Sequence, residues 1–217
     1  MAKIRNFLSG LTHCIGAALS LIGLVVLIIF AAINGDAFDV VSFTLFGTGL
    51  FLTYLFSTLY HWLNISEKRI KIFKKFDNIM VYVLIATSYI PLCFGPLKGP
   101  WGWSIFGVIW GFSITGLTLS AIWVKLPKIV NIILSIILGI IILITLFPLI
   151  QILKISNTLS SLFILFASVV FYIVGGLLPI LKWPKTKLFG FHEISHIFIF
   201  LGSIFHFIFV LNYITIF

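Results

Sequence analysis

Seven long apolar runs constrain this chain more than any other feature of its sequence. They fall at about 8–33, 40–63, 77–97, 103–124, 129–150, 158–181 and 190–215, with short connections between them. An α-helix needs about 20 mostly apolar residues to cross a bilayer, and every run reaches that length. The sequence therefore predicts an all-α, polytopic membrane protein, a seven-transmembrane helix bundle that forms a single domain over residues 1–217.

The composition excludes a soluble globular protein. Only 9% of the residues are charged and 61% are hydrophobic, whereas soluble domains carry about 25% charged residues. A net charge of +9 would suggest a nucleic-acid partner in a soluble protein. Here the basic residues flank the apolar runs, so we predict no nucleic-acid partner. We expect contact with membrane lipids instead, in a multi-pass protein of the cell (plasma) membrane.

The lysines and arginines also predict an orientation. Lys98 and Lys154 lie on one side of the predicted bundle. The other twelve lie on the opposite side, at Lys3, Arg5, Lys68, Arg69, Lys71, Lys74, Lys75, Lys125, Lys128, Lys182, Lys185 and Lys187. Because basic residues concentrate on the cytoplasmic side, we predict a cytoplasmic N-terminus and an external C-terminus. A cleaved signal peptide is the alternative for the first run, but the run is too long and contains His13.

Five polar side chains in these apolar surroundings have the spacing of a metal site. They form a Ser57-x3-His61 pair, a single Asp77 and a His192-x3-His196 pair. In the predicted topology, His61 ends the second helix, Asp77 opens the third and the histidine pair opens the seventh. Residues four apart share one face of a helix. Because polar groups inside a bilayer are costly, we expect these five to meet at one depth in the cytoplasmic leaflet.

The residue types indicate zinc chemistry. Three imidazoles with an open position are typical of catalytic zinc, whereas structural zinc usually has four protein ligands. We predict that His61, His192 and His196 bind Zn²⁺, although imidazole also suits other divalent ions. Asp77 would deprotonate a water molecule that the metal activates, and Ser57 would orient that water or the oxyanion. The structural alternatives are hydrogen-bonded core histidines, an Asp77 cap on the third helix, and a Ser57 bond to its own helix.

Other polar or small residues have more than one interpretation. His13 is compatible with an outer contact of the metal site, a substrate contact, or a packed core residue. His206 lies about 21 Å along the seventh helix from the start of the histidine pair, so it cannot bind the same ion. Glu193 is interpreted as an interfacial residue or an outer contact of the site. The Gly107-x3-Gly111 pattern predicts close packing inside the bundle rather than dimerisation.

The motifs resemble the hemolysin III family, the bacterial branch of the progestin and adipoQ receptor (PAQR) superfamily. The matching pieces are Thr12-His13 with Gly16, Ser57-x3-His61, Asp77, and the stretch from His192 to Phe207. The resemblance implies a seven-helix bundle with a cytoplasmic N-terminus and an external C-terminus. It also implies zinc held by His61, His192 and His196, with Asp77 and Ser57 beside it.

Three functions are compatible with this resemblance. The first is a zinc-dependent, ceramidase-like hydrolase of a lipid amide or ester, with a role in membrane-lipid homeostasis. The second is a membrane-lytic, haemolytic or pore-forming protein, which the concentration of polar groups at one end of the helices disfavours. The third is a lipid sensor or receptor in which zinc is structural. All three have membrane lipids as partners, and the first and third also require a lipid substrate or ligand.

Overall fold

A computed structural model describes residues 7–122, 128–155, 159–183 and 190–216. Within these ranges the chain forms eight α-helices: α1 Phe7–Asn34, α2 Ala37–Trp62, α3 Glu67–Phe94, α4 Pro100–Ile122, α5 Lys128–Ile140, α6 Ile142–Ile155, α7 Ser161–Leu181 and α8 Phe191–Ile216. Only a turn at Ile141 separates α5 from α6, so both belong to one candidate span, Ile129–Ile155. The structure thus has seven helical segments long and apolar enough to cross a membrane, which confirms the predicted all-α, seven-span bundle.

The third helix begins ten residues earlier than the sequence predicted. It begins at Glu67 rather than at residue 77, so the basic residues from Lys68 to Lys75 lie on a helix and not in a loop. Charged residues had excluded this segment from the apolar run, yet it has a buried face. Ile70 is buried and Phe73 is half-buried, at helical spacing from Asp77. The prediction that Asp77 opens this helix is wrong, and so is the alternative that Asp77 caps it.

The far end of the bundle is held by polar contacts between two connections. Asp36 caps α2 by accepting hydrogen bonds from the backbone N–H groups of Phe38 and Asp39. Lys98, between α3 and α4, donates to the Asp36 carboxylate at 2.9 Å. This hydrogen bond lowers the pKa of the Asp36 carboxyl below its usual value. Lys3, Arg5, Lys125, Lys185 and Lys187 lie outside the described residues, and the predicted membrane orientation stays a prediction.

The pattern Gly107-x3-Gly111 faces away from the bundle. Both glycines are exposed, and no described atom lies within 4 Å of a Cβ built at either position. The opposite face of α4 is the buried one, and it includes Ile105, Ile109 and Ser113. The prediction that this glycine pair serves internal packing is therefore wrong, because the spacing of small residues does not show which side of a helix is covered.

Close approach between α7 and α8 holds the start of α8 in place. Ser195 on α8 donates a 2.6 Å hydrogen bond to the carbonyl of Gly175 on α7. A Cβ at Gly175 would lie 2.8 Å from the Cγ1 atom of Ile199 and 3.1 Å from the carbonyl oxygen of Ser195. A side chain at position 175 would therefore push the two helices apart.

Gly175→Ala is expected to lower the thermal stability of the protein by about 1–3 kcal/mol, the usual cost of overpacking. The adjacent Gly176→Ala is a matched control, since among the described residues its Cβ would meet only the Ile136 side chain, at 3.6 Å and 3.8 Å. Thermal unfolding of both variants in the same detergent measures the difference. Equal melting temperatures for the two variants would contradict the close α7–α8 contact.

Candidate metal centre

Four histidine side chains meet at one end of the bundle. His13 lies near the start of α1, His61 near the end of α2, and His192 and His196 at the start of α8. The ring centroids of His196 lie 4.1 Å from His13 and 4.3 Å from His192. The His61 ring is 5.3 Å from His192, 5.5 Å from His196 and 5.7 Å from His13. The predicted convergence of His61 with the histidine pair of the last helix is therefore observed.

His196 is the centre of this histidine cluster. Its Nε2 atom lies 3.1 Å from Nε2 of His192, and its Nδ1 atom lies 2.8 Å from Nε2 of His13. Zinc binds imidazole nitrogen at about 2.0–2.1 Å, so two nitrogens on one tetrahedral ion are about 3.3 Å apart. The spacing of the His192 and His196 Nε2 atoms is close to that value. The two atoms are therefore placed as a pair of ligands would be.

A second set of three nitrogens is also close enough to hold an ion. His13, His61 and His196 each offer one ring nitrogen, and these three atoms lie within 4.8 Å of one another. The sequence had assigned His192 in place of His13, and both residues are present in the cluster. Sequence spacing alone did not identify His13 as part of the metal site, because it has no histidine one turn away on its own helix. Its position at the start of the first apolar run, at the depth of the other histidines, was the signal that could have found it.

Ser57 presents a buried hydroxyl beside the histidines. It lies one turn before His61 on α2 and is 3% exposed. Its Oγ makes no hydrogen bond of good geometry within the part of the chain that the structure describes. The next residue, Thr58, does donate to its own helix, at 2.7 Å to the carbonyl of Tyr54. The alternative that Ser57 only bonds its own backbone is therefore wrong.

Asp77 reaches the site from α3. It is half-buried, and its carboxyl group lies close enough to the Ser57 hydroxyl to interact with it. An unpaired buried hydroxyl costs about 1–3 kcal/mol, so the neighbouring Asp77 carboxyl stabilises Ser57 in its buried position. The structure thus places both predicted water-handling residues at the same end of the bundle as the histidines. Imidazole donors with a hydroxyl and a carboxylate at the same end of the bundle are a donor set that fits a zinc ion.

Glu193 joins the two helices that carry His13 and His196. Its Oε1 accepts a 3.1 Å hydrogen bond from Ser9 on α1. Its Oε2 accepts one of 3.0 Å from the backbone N–H of Gly190, just before α8. One carboxylate therefore satisfies a donor at the start of α8 and ties that end of the helix to α1. The structure therefore shows Glu193 as a contact between α1 and α8 beside the histidines.

A hydrogen-bonded layer supports the cluster from inside the bundle. Tyr54 on α2 lies with its ring centroid 5.9 Å from that of His13. Its hydroxyl oxygen is 2.7 Å from Ser203 Oγ on α8, and Tyr172 Oη on α7 is 2.9 Å from the same atom. A Cβ at Gly16 would lie 2.7 Å from the Tyr54 ring. The small residue at position 16 therefore gives Tyr54 the room it needs beside His13.

His206 is separate from the metal centre and has its own partners. Its Nε2 atom lies 3.0 Å from the carbonyl oxygen of Ser88, and its Nδ1 atom lies 3.3 Å from Ser168 Oγ. A carbonyl only accepts, so Nε2 carries the proton and Ser168 donates to Nδ1. The side chain is 5% exposed. His206 thus links α8 to α3 and α7, as expected for a histidine that cannot share the ion.

Comparison with known proteins identifies the family of the chain. The family model described as "Haemolysin-III related" matches residues 1–207. The chain is 36% identical to the "Hemolysin-3 homolog" of Bacillus subtilis (strain 168), over 94% of this chain and 92% of the relative. It is 35% identical to the "Hemolysin-3" of Bacillus cereus, over 95% of this chain and 90% of the relative. With its seven apolar helices, the chain is a multi-pass membrane protein, and it belongs to the haemolysin-III-related family.

Proposed function

We propose that this protein is a zinc-dependent membrane hydrolase that cleaves a lipid amide or ester bond. The observation that carries the proposal is the convergence of His61, His192 and His196 at the end of the bundle where Ser57 has its buried hydroxyl. A carboxylate, Asp77, lies next to that hydroxyl. Metal ligands, a base and a hydroxyl donor within one site are groups that metal-assisted hydrolysis of a carbonyl compound uses.

Each side chain has a separate task in this proposal. The three histidines hold the ion, which when bound activates water and polarises the carbonyl of the substrate. Asp77 accepts a proton from the attacking water molecule while the oxygen of that water bonds to the acyl carbon. It then returns that proton to the leaving nitrogen or oxygen as the bond to carbon breaks. Ser57 donates a hydrogen bond that orients the water or stabilises the developing oxyanion.

A membrane lipid is the substrate class that the location favours. The cluster lies near one end of the candidate spans, where His13 and His61 are buried while His192 and His196 are half-buried. The approach is therefore most open on the α8 side. The first turns of α3, at the same end, present exposed basic side chains at Lys68, Arg69, Lys71, Lys74 and Lys75. Such a cluster attracts anionic lipid headgroups, at about 1 kcal/mol for each basic residue near the membrane surface.

The fourth histidine favours one alternative function. His13 lies close enough to His61 and His196 for the three to share an ion. If His13 were a ligand together with His61, His192 and His196, four protein ligands would close the centre. Closed zinc sites are usually structural. The protein would then be a lipid sensor or receptor in which zinc stabilises the bundle.

Lipid turnover by the purified protein separates these functions. The protein is incubated with vesicles that contain lipid amides and lipid esters, and released fatty acid is measured by mass spectrometry. We expect turnover that a chelator removes and that added zinc restores. No turnover with zinc fully bound, together with a lower melting temperature after zinc removal, would favour the sensor. Dye release from vesicles that persists in His192→Ala would indicate lysis without the metal centre.

A further inference from the structure

We propose that His13 is a positioning residue for the metal centre: it accepts the Nδ1 proton of His196 and so directs His196 Nε2 toward the ion. This inference rests on the proposed metal centre, but not on the reaction assigned to it. His13 comes from a different helix than the other histidines, α1. It is 5% exposed, so water does not compete freely for its ring nitrogens.

The hydrogen-bond geometry separates the two nitrogens of His196. Its Nε2 atom faces Nε2 of His192 at 3.1 Å, while its Nδ1 atom faces Nε2 of His13 at 2.8 Å. A nitrogen that binds a metal carries no proton, so a neutral His196 that binds through Nε2 carries its proton on Nδ1. The atom placed to accept that proton is Nε2 of His13. His13 then carries its own proton on Nδ1.

A metal-binding histidine usually makes a hydrogen bond with the ring nitrogen that does not bind the metal, and the contact with His13 is of this kind. Such a histidine commonly donates its other ring N–H to a carboxylate, a carbonyl or a water molecule, which fixes the ring orientation and raises its basicity. Here an imidazole would take that place. The His13 and His196 rings are nearly perpendicular, at an interplanar angle of 77° and with centroids 4.1 Å apart. The two rings meet at the 2.8 Å contact between His196 Nδ1 and His13 Nε2.

The surrounding contacts hold His13 where this hydrogen bond needs it. Glu193 accepts a hydrogen bond from Ser9, one turn before His13 on α1, and thereby joins α1 to the start of α8. Gly16, about one turn after His13, lets the Tyr54 ring approach α1. Contacts of α1 with α8 before His13 and with α2 after it thus position α1 on both sides of His13. The Nε2 atom of His13 cannot use one lone pair both for this hydrogen bond and for the ion.

Two substitutions at position 13 test the proposal. His13→Leu removes the acceptor, whereas His13→Gln places a carbonyl oxygen near the position of Nε2. Zinc affinity is measured on the purified full-length proteins by competition with a chromophoric chelator. We expect His13→Leu to bind zinc about 10–100-fold more weakly, the usual effect of losing such an outer contact. We expect His13→Gln to bind within about threefold of wild type.

The absorption spectrum of the cobalt-substituted protein gives a second readout. If His13 is not a ligand, His13→Gln keeps the visible bands of the wild-type cobalt protein, because the ligand set is the same. If His13→Leu does not fold, His13→Gln still decides: near-normal affinity with the unchanged spectrum supports the positioning role. Loss of binding in His13→Gln to the level of His196→Ala would make His13 a ligand and overturn it. Wild-type affinity in a folded His13→Leu would reduce His13 to a packing residue.

The wild-type protein separates failure of this inference from failure of the proposed function. Wild-type protein that binds no metal would overturn both. Wild-type protein that binds zinc but hydrolyses no lipid would overturn the proposed reaction, while the role of His13 is judged by the affinities alone. Zinc-dependent turnover with equal affinities in wild type and His13→Leu would overturn only the role of His13.

Discussion

His192→Ala is expected to remove nearly all bound zinc from a protein that otherwise carries about one ion per chain. His192 and His196 lie one turn apart on α8, and their Nε2 atoms are 3.1 Å from each other. In the proposed site, His13 Nε2 is engaged by Nδ1 of His196 at 2.8 Å, so removing His192 leaves only His61 and His196 as ligands. Two protein ligands are too few for a stable zinc centre. Metal content of the purified, monodisperse protein, measured by mass spectrometry against protein concentration, gives the result.

His206→Gln is the matched control for this loss. It changes the same residue type on the same helix, in a side chain that contacts Ser88 and Ser168 instead of the cluster. Glutamine places an amide N–H near the position of the histidine Nε2–H, so the bond to the Ser88 carbonyl can be kept. We expect unchanged zinc content in this variant. Equal zinc in wild type and His192→Ala would remove His192 from the ligand set.

Asp77→Asn is expected to lower lipid turnover by about 10²–10⁴-fold, the usual contribution of a general base. The substitution keeps the shape of the side chain but removes the negative charge that accepts the proton of the attacking water. Since Asp77 is not among the three proposed ligands, zinc content is expected to stay at the wild-type level. Initial rates at saturating lipid and the metal content of the same preparation are the two measurements.

Asn78→Ala controls for changes at the same place on α3. Asn78 is the next residue and is exposed, so it faces away from Ser57 and the histidines. We expect wild-type turnover and wild-type zinc from this variant. Full activity in Asp77→Asn would exclude Asp77 as the base, and loss of zinc together with activity would make Asp77 a metal ligand instead.

The sequence predicted the number and approximate extent of the spans because bilayer thickness imposes a length on apolar helices. Most helix ends agree within a few residues. α3 is the exception, since its first turns from Glu67 carry charges while still presenting Ile70 to the bundle. The length of an apolar run in the sequence predicts the part of a helix that lies in the hydrocarbon of the bilayer. It does not predict how far the helix continues beyond the hydrocarbon.

Glycine spacing did not predict where helices pack closely. Gly107 and Gly111 have the spacing of a close-packing motif, and both lie on an open face of α4. Gly175 has no such motif, yet the backbones of α7 and α8 approach closely around it. Helical spacing determines which residues share a face. Which face is covered depends on how neighbouring helices pack, and that information is not contained in any single segment.

For the candidate site, the sequence by itself determined residue type and depth. The spacing of Ser57 with His61 and of His192 with His196 placed each pair on one helix face, and their positions in the spans placed them at one end of the bundle. Only the tertiary structure decided which faces meet. It brought His13 to 2.8 Å from His196 and kept His206 apart. The reason is physical: position along a helix follows from residue number, whereas the rotation of each helix about its axis is set by packing against its neighbours.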